Sequence, residues 1–195
     1  MVETAHELFL HGLSDVLDAE RQLVEALSQQ AESAGNEQLK KAFENHLKQT
    51  QGQVERLEQV FEQLEEEAQD TDCRGMQGLI EEVDNFKQEQ PSPDILDVFL
   101  VGAAAKVESY EIRAYEELIQ LATDMDHKKA VRLLQQNLRE EQQTLKKMEG
   151  FAKKIKPERS GMEEEEIEEK GQEDRQNSRN RKGSSSSRGK SRKAA

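Results

Sequence analysis

Four long runs of helical apolar spacing, interrupted by two short turns and one long connection, leave this chain few folds. Leu8, Leu13, Val16, Leu17, Leu23, Val24 and Leu27 supply an apolar face at helical spacing, which predicts a first helix over Glu3–Ala31. The turn "SAGNEQ" supplies Gly35 as a stop and Asn36 as the next N-cap. A second helix is expected over Glu37–Ala68, with Leu39, Phe43, Leu47, Val54, Leu57, Phe61 and Leu64 inward. "QDTDCRG" breaks that pattern, and a short helix near Met76–Phe86 lies in the connection. "QPSPD" then caps a third long helix, Asp94–Thr123, and "DMDHKK" turns the chain into a fourth, Lys129–Ile155. Its inward residues are Val131, Leu134, Leu138, Leu145 and Met148.

Short turns join antiparallel neighbours, so the long helices pair as two hairpins. Two hairpins linked by a long crossover form a ferritin-like four-helix bundle, here with a short extra helix in the crossover. Composition agrees with an all-α fold: 35% of residues are charged, 4% are aromatic, and alternating strand patterns are absent. The bundle is expected over 1–156. From 157 to 195 the chain turns acidic and then basic, and low hydrophobicity with blocks of like charge predicts a disordered tail. Its basic end offers a weak nucleic-acid contact but carries no aromatic residue for base stacking.

The net charge of −13 argues against a folded surface built for nucleic acid. With Cys73 as the single cysteine, neither an intrachain disulfide nor a thiolate metal cluster can form, which fits a cytoplasmic location. The start "MVETAHELFLHG" does not resemble a secretory signal, and no stretch is apolar enough to span a bilayer, so no membrane contact is expected. There is no phosphate-cradling glycine loop and no nucleophile–base arrangement.

The segment "VESYEIRAYEEL", 107–118, poses the chemical question. Val107, Ala114, Tyr115 and Leu118 make an apolar stripe, and Glu111 lies on it with Glu108 beside it. An isolated buried carboxylate is costly and protonates or finds a partner. The two hairpins also resemble one another at an offset of 91 positions. Val16 falls on Val107, Glu20 on Glu111, Leu27 on Leu118, Phe43 on Leu134, Thr50 on Glu141 and Leu57 on Met148. Glu20 is ringed by Val16, Leu17, Leu23, Val24 and Leu27, and Glu141 by Leu134, Leu138, Leu145 and Met148. On the second helix Thr50 has His46 one turn before it and Gln53 about one turn after.

Each long helix thus brings polar groups to the interior. Facing carboxylates repel and take up protons unless a cation joins them. An oxygen-rich set with an imidazole suits iron or manganese. Di-iron bundles take a Glu from each of two helices and Glu-x-x-His from each of the other two. The candidate metal ligands are Glu20, His46, Gln53, Glu108, Glu111 and Glu141. The competing reading is a polar layer that fixes helix register, with the glutamates paired to Arg21, Arg113 or Arg139 at the bundle edge. Glu108 could equally face solvent. For His46 and Gln53 the alternative is simple hydrogen bonding. Tyr110 and Tyr115 neighbour the site, where either could relay electrons in oxidation chemistry, with packing as the alternative.

The segments "DVLDAERQL" at 15–23, "FENHLKQTQGQVERLEQVF" at 43–61, "VESYEIRAY" at 107–115 and "LLQQNLREE" at 133–141 resemble the YciE/YciF-type ferritin-like stress proteins. The resemblance covers all four bundle helices and not the tail. It implies a ferritin-like bundle with a short additional helix, a homodimer, and a di-iron or ferroxidase-like centre. Thr50 and Gln53, and Thr144 after Glu141, depart from the Glu-x-x-His pattern of ferritins. Two functions follow. One is a redox metalloprotein whose iron or manganese centre oxidises Fe(II) or reacts with oxygen or peroxide in stress defence. The other is a non-catalytic helical dimer that binds partners and whose site has degenerated.

Overall fold

The computed structural model describes residues 2–157. The tail expected over 157–195 therefore lies, apart from Pro157, outside the described residues. Five helices follow in order: α1 (Ala5–Ser33), α2 (Glu37–Leu64), α3 (Arg74–Gln88), α4 (Pro93–Asp124) and α5 (Lys128–Lys154). The hairpins α1–α2 and α4–α5 make the bundle, and α3 lies in the crossover against α1 and α4.

Local chemistry sets the helix ends. Thr4 and Glu7 form a reciprocal capping box, so α1 starts at Ala5 rather than Glu3. Asn36 accepts from the backbone N–H groups of Gln38 and Leu39, opening α2 as expected. That helix ends at Leu64, short of Ala68, where Glu65 turns left-handed with φ of 57°. Glu65, Glu66 and Glu67 would otherwise place three negative charges at the negative end of the helix dipole. Asp97, near the start of α4, accepts from the Gly35 N–H at 2.9 Å and ties the second hairpin to the first turn.

The core divides into two apolar clusters. One holds Leu23, Leu27, Leu39, Phe43, Leu100, Val107 and Met148, with Cys73, Met76 and Val83 from the crossover. The other holds Phe9, Leu13, Leu17, Leu57, Phe61, Tyr115, Leu118 and Leu134. Leu8 is a correction: it is 48% exposed, because Phe9 and Leu10 take the inward positions at that end. Val24, Leu47, Val54, Leu64, Val131, Leu138 and Leu145 are only half-buried, at the flanks of their helices. No helix among the described residues is long and apolar enough to cross a membrane.

The packing of α3 on α4 gives a paired test. A Cβ on Gly75 would lie 2.7 Å from the Tyr110 hydroxyl and under 3.0 Å from its ring, whereas one on Gly78 meets nothing within 4 Å. Gly75→Ala is expected to destabilise by about 1–3 kcal/mol through overpacking. Gly78→Ala is expected to stabilise by about 0.5–1 kcal/mol through helix propensity. Urea unfolding of both variants checks the difference in sign.

Candidate metal centre

Between the two apolar clusters lies a buried polar layer. Every long helix contributes: Glu20 from α1; His46, Thr50 and Gln53 from α2; Glu108 and Glu111 from α4; Asn137, Glu141 and Thr144 from α5. All six expected ligands are in it. Glu108 is fully buried, so the solvent-facing alternative is overturned.

His46, Glu108 and Glu141 form the tightest group, with one potential ligand atom from each lying within 4.8 Å of the others. His46 stands between the carboxylates: Nδ1 is 3.4 Å from Glu108 Oε1 and Nε2 is 3.6 Å from Glu141 Oε2. Gln53 Nε2 donates to Glu141 Oε1. Tyr115 donates to Glu20 Oε1. Glu111 has no hydrogen-bond partner on either oxygen.

The arginines proposed as edge partners are occupied elsewhere. Arg21 pairs with Glu58, Arg113 with Glu116 and Glu117, and Arg139 Nε donates to the carbonyl of Gln135. None of these three therefore neutralises the buried glutamates, and Arg56, at the layer's edge, only partly offsets the burial of Glu20. Desolvation first, and repulsion from Glu141 second, push Glu20 and Glu108 well above the usual carboxylate value of 4.5. Glu111 is raised by burial, then by Glu20, Glu141 and Glu108. Burial and the Glu20 and Glu141 charges likewise raise the Tyr115 phenol, which stays protonated and able to donate.

Among the described residues, every buried side-chain polar atom lacking a hydrogen-bond partner belongs to this layer: Glu20 Oε2, both His46 nitrogens, Thr50 Oγ1, Gln53 Oε1, both oxygens of Glu108 and Glu111, and Glu141 Oε2. Folded proteins satisfy nearly all such groups, so a cluster of orphans singles this layer out as a candidate cation site. Four carboxylates and an imidazole fit a hard or borderline cation such as iron or manganese.

Sequence reasoning missed two participants, Asn137 and Arg56, and gave a third, Tyr115, no hydrogen-bonding role. Asn137 stands on α5 at the repeat offset from His46 and donates to the Tyr115 hydroxyl at 2.9 Å, a pairing the 91-residue register could have flagged. Tyr115, read as packing, is a hydrogen-bonding member. Arg56, at the layer's edge, donates to Asn137 and pairs with Glu140, and nothing in its spacing marked it.

A family model described as a domain of unknown function, DUF892, matches residues 4–160. The chain belongs to this family. Protein YciF of Escherichia coli strain K12 is 40% identical over 144 residues, covering 73% of this chain and 87% of YciF. The crystal structure of that E. coli stress protein superposes with a TM-score of 0.75 at 39% identity, over 77% of this chain and 95% of YciF. YcfI of Rhodopseudomonas palustris, whose description proposes a structural role, gives 0.74 at 38% identity, over 76% of this chain and 94% of its own.

The layer dictates a pH response in the metal-free protein. Glu20, Glu108 and Glu111 titrate above 4.5 when folded, so the fold binds more protons than the unfolded chain between that value and their raised ones. Stability then falls as pH rises through this window. The metal-free melting midpoint is expected to drop from about pH 5 to pH 7.5, and Glu111→Leu should flatten the slope. A midpoint that rises over this range would contradict the assignment.

Proposed function

We propose that the polar layer is a cation site and that the protein is a ferritin-like metalloprotein of iron or manganese. One observation carries this reading: among the described residues, the unpartnered buried polar atoms all converge on one layer that holds four carboxylates and one imidazole. Magnitudes favour it. Each buried unpaired charge costs several kcal/mol, while a whole domain is stable by about 5–15 kcal/mol. The carboxylates must then be protonated or share a cation.

Glu20, Glu108, Glu111 and Glu141 would supply the neutralising charge and His46 a nitrogen donor. Gln53 holds Glu141 by one oxygen, and Tyr115 holds Glu20 in the same way. The apolar clusters on both sides exclude bulk water. A bound iron or manganese centre supplies one-electron chemistry toward oxygen or peroxide. With Fe(II) as substrate, each ion gives up one electron to that oxidant, a reaction suited to stress defence. A dinuclear centre is the fuller version of this proposal, and the stress-protein description of YciF is consistent with it.

The second reading is a non-catalytic helical dimer in which the layer fixes register. It is favoured by Thr50 and Thr144. Thr144 spends its hydroxyl on the carbonyl of Glu140 at 3.1 Å, and threonine is a poor ligand where ferritins use charged or imidazole groups. The structural role proposed for YcfI points the same way.

Metal content separates the two. Protein purified without chelator and reloaded anaerobically with Fe(II) or Mn(II) is expected to hold about two equivalents per chain, or one for a mononuclear site. Glu20→Ala with Glu111→Ala should abolish uptake. Glu111→Leu should leave metal-free stability equal or raised by about 1–4 kcal/mol while removing metal-dependent stabilisation. No specific uptake of either metal in wild type would eliminate the metalloprotein reading, and sedimentation would then test the dimer.

A further inference from the structure

We infer that Tyr115 and Asn137 are positioning residues, links in a one-way chain of hydrogen-bond donors that fixes which oxygen of Glu20 faces the polar layer. The inference rests on the metal reading above and concerns how the site is held.

The chain begins at Arg56, near the solvent edge, where Glu140 pairs with its guanidinium. A guanidinium donates and never accepts. Arg56 Nε donates to Asn137 Oδ1, and that contact sets the orientation of the amide. Asn137 Nδ2 must then face the other way. It donates to the Tyr115 hydroxyl at 2.9 Å and lies 3.4 Å from the carbonyl oxygen of Gln53. With its oxygen accepting from Asn137, Tyr115 sends its only proton to Glu20 Oε1.

The polarity cannot reverse locally. Flipping Asn137 would set its Nδ2 against Arg56 Nε, donor against donor. Rotating the Tyr115 hydroxyl would aim its proton at the Asn137 donor. Asn137, Tyr115 and Glu20 are all buried, so water has little chance to substitute for a broken link. Glu20 Oε1 is therefore committed as an acceptor, and Oε2 is left without a partner inside the layer.

Glu141 shows the same division by a shorter route. Gln53 occupies its Oε1 and leaves Oε2 unpartnered. Both carboxylates thus present a single free oxygen. For Glu20 the constraint passes through three other helices, since Arg56 is on α2, Tyr115 on α4 and Asn137 on α5. Outer hydrogen-bond partners that orient a metal ligand are typically worth about 10–100-fold in affinity.

The test uses the full-length protein and its Mn(II) dissociation constant. Asn137→Asp keeps the side-chain volume but turns the donor facing Tyr115 into an acceptor, so the tyrosine proton can leave Glu20. Tyr115→Phe deletes the link. Both are expected to weaken Mn(II) binding by about 10–100-fold, with Tyr110→Phe near wild type. The chain has two tyrosines and no tryptophan, so in a Tyr110→Phe background the tyrosine absorbance band, at longer wavelength than that of phenylalanine, reports Tyr115 alone. It should shift on Mn(II) addition, and Asn137→Asp should remove that shift. A role confined to packing would lower the metal-free melting midpoint without moving affinity or absorbance.

Affinities within about twofold of wild type in both variants, with the absorbance response intact, would overturn the positioning role and leave the metal site standing. Wild-type protein that takes up no Mn(II) or Fe(II) would overturn both together. Asn137→Asp decides the matter even where Tyr115→Phe does not fold.

Discussion

Burying four glutamates in the dry middle of a helical bundle is the constraint on which the rest of this structure depends. Water is excluded by apolar residues on both sides, so these groups interact at low dielectric, where unpaired charge is costly. The fold responds in two ways. It raises the proton affinity of Glu20, Glu108 and Glu111 through burial and mutual repulsion. It also supplies neutral donors, Gln53 and Tyr115, to one oxygen each of Glu141 and Glu20. Neither response satisfies the remaining oxygens, and a cation would.

The internal repeat explains why the layer spans the bundle. Glu20 and Glu111 are equivalent, as are Thr50 and Glu141, His46 and Asn137, and Gln53 and Thr144, and all eight are buried. The two hairpins have nonetheless diverged. On α2 the polar positions carry an imidazole, a hydroxyl and a neutral amide, and on α5 an asparagine, a carboxylate and a hydroxyl. Such a layer is lopsided compared with the two matching Glu-x-x-His helices of a symmetric di-iron bundle. Glu108 has no polar counterpart, since Leu17 stands at its repeat position, and it brings a further carboxylate to His46.

The crossover helix has a separate task. Cys73 lies at its start, fully buried, with its thiol 3.1 Å from the Tyr110 hydroxyl and 3.2 Å from Asp15 Oδ2. Asp18 accepts from the Cys73 N–H at 2.7 Å. These contacts pin the crossover to α1 and α4. The tyrosine that follows Ser109 therefore serves the crossover, while Tyr115, in the next turn and a half, serves the polar layer. One helix thus carries two tyrosines with different duties.

The sequence by itself determined the helices, their hairpin pairing and the six inward ligand candidates. Apolar spacing and turn chemistry are local properties, and a residue on a helix's apolar stripe must be buried once that stripe packs. Helix ends were less legible, since capping by Thr4 and the cluster of Glu65, Glu66 and Glu67 shift them by a turn or less. What only the tertiary structure decided is how the inward groups meet. Spacing along one helix cannot say that His46 lies between Glu108 and Glu141, that Arg21, Arg113 and Arg139 bond elsewhere, or that Arg56, Asn137 and Tyr115 link up toward Glu20. Those facts depend on the relative rotation and depth of four separate helices, and that is fixed by side-chain packing between them rather than by any periodicity within one.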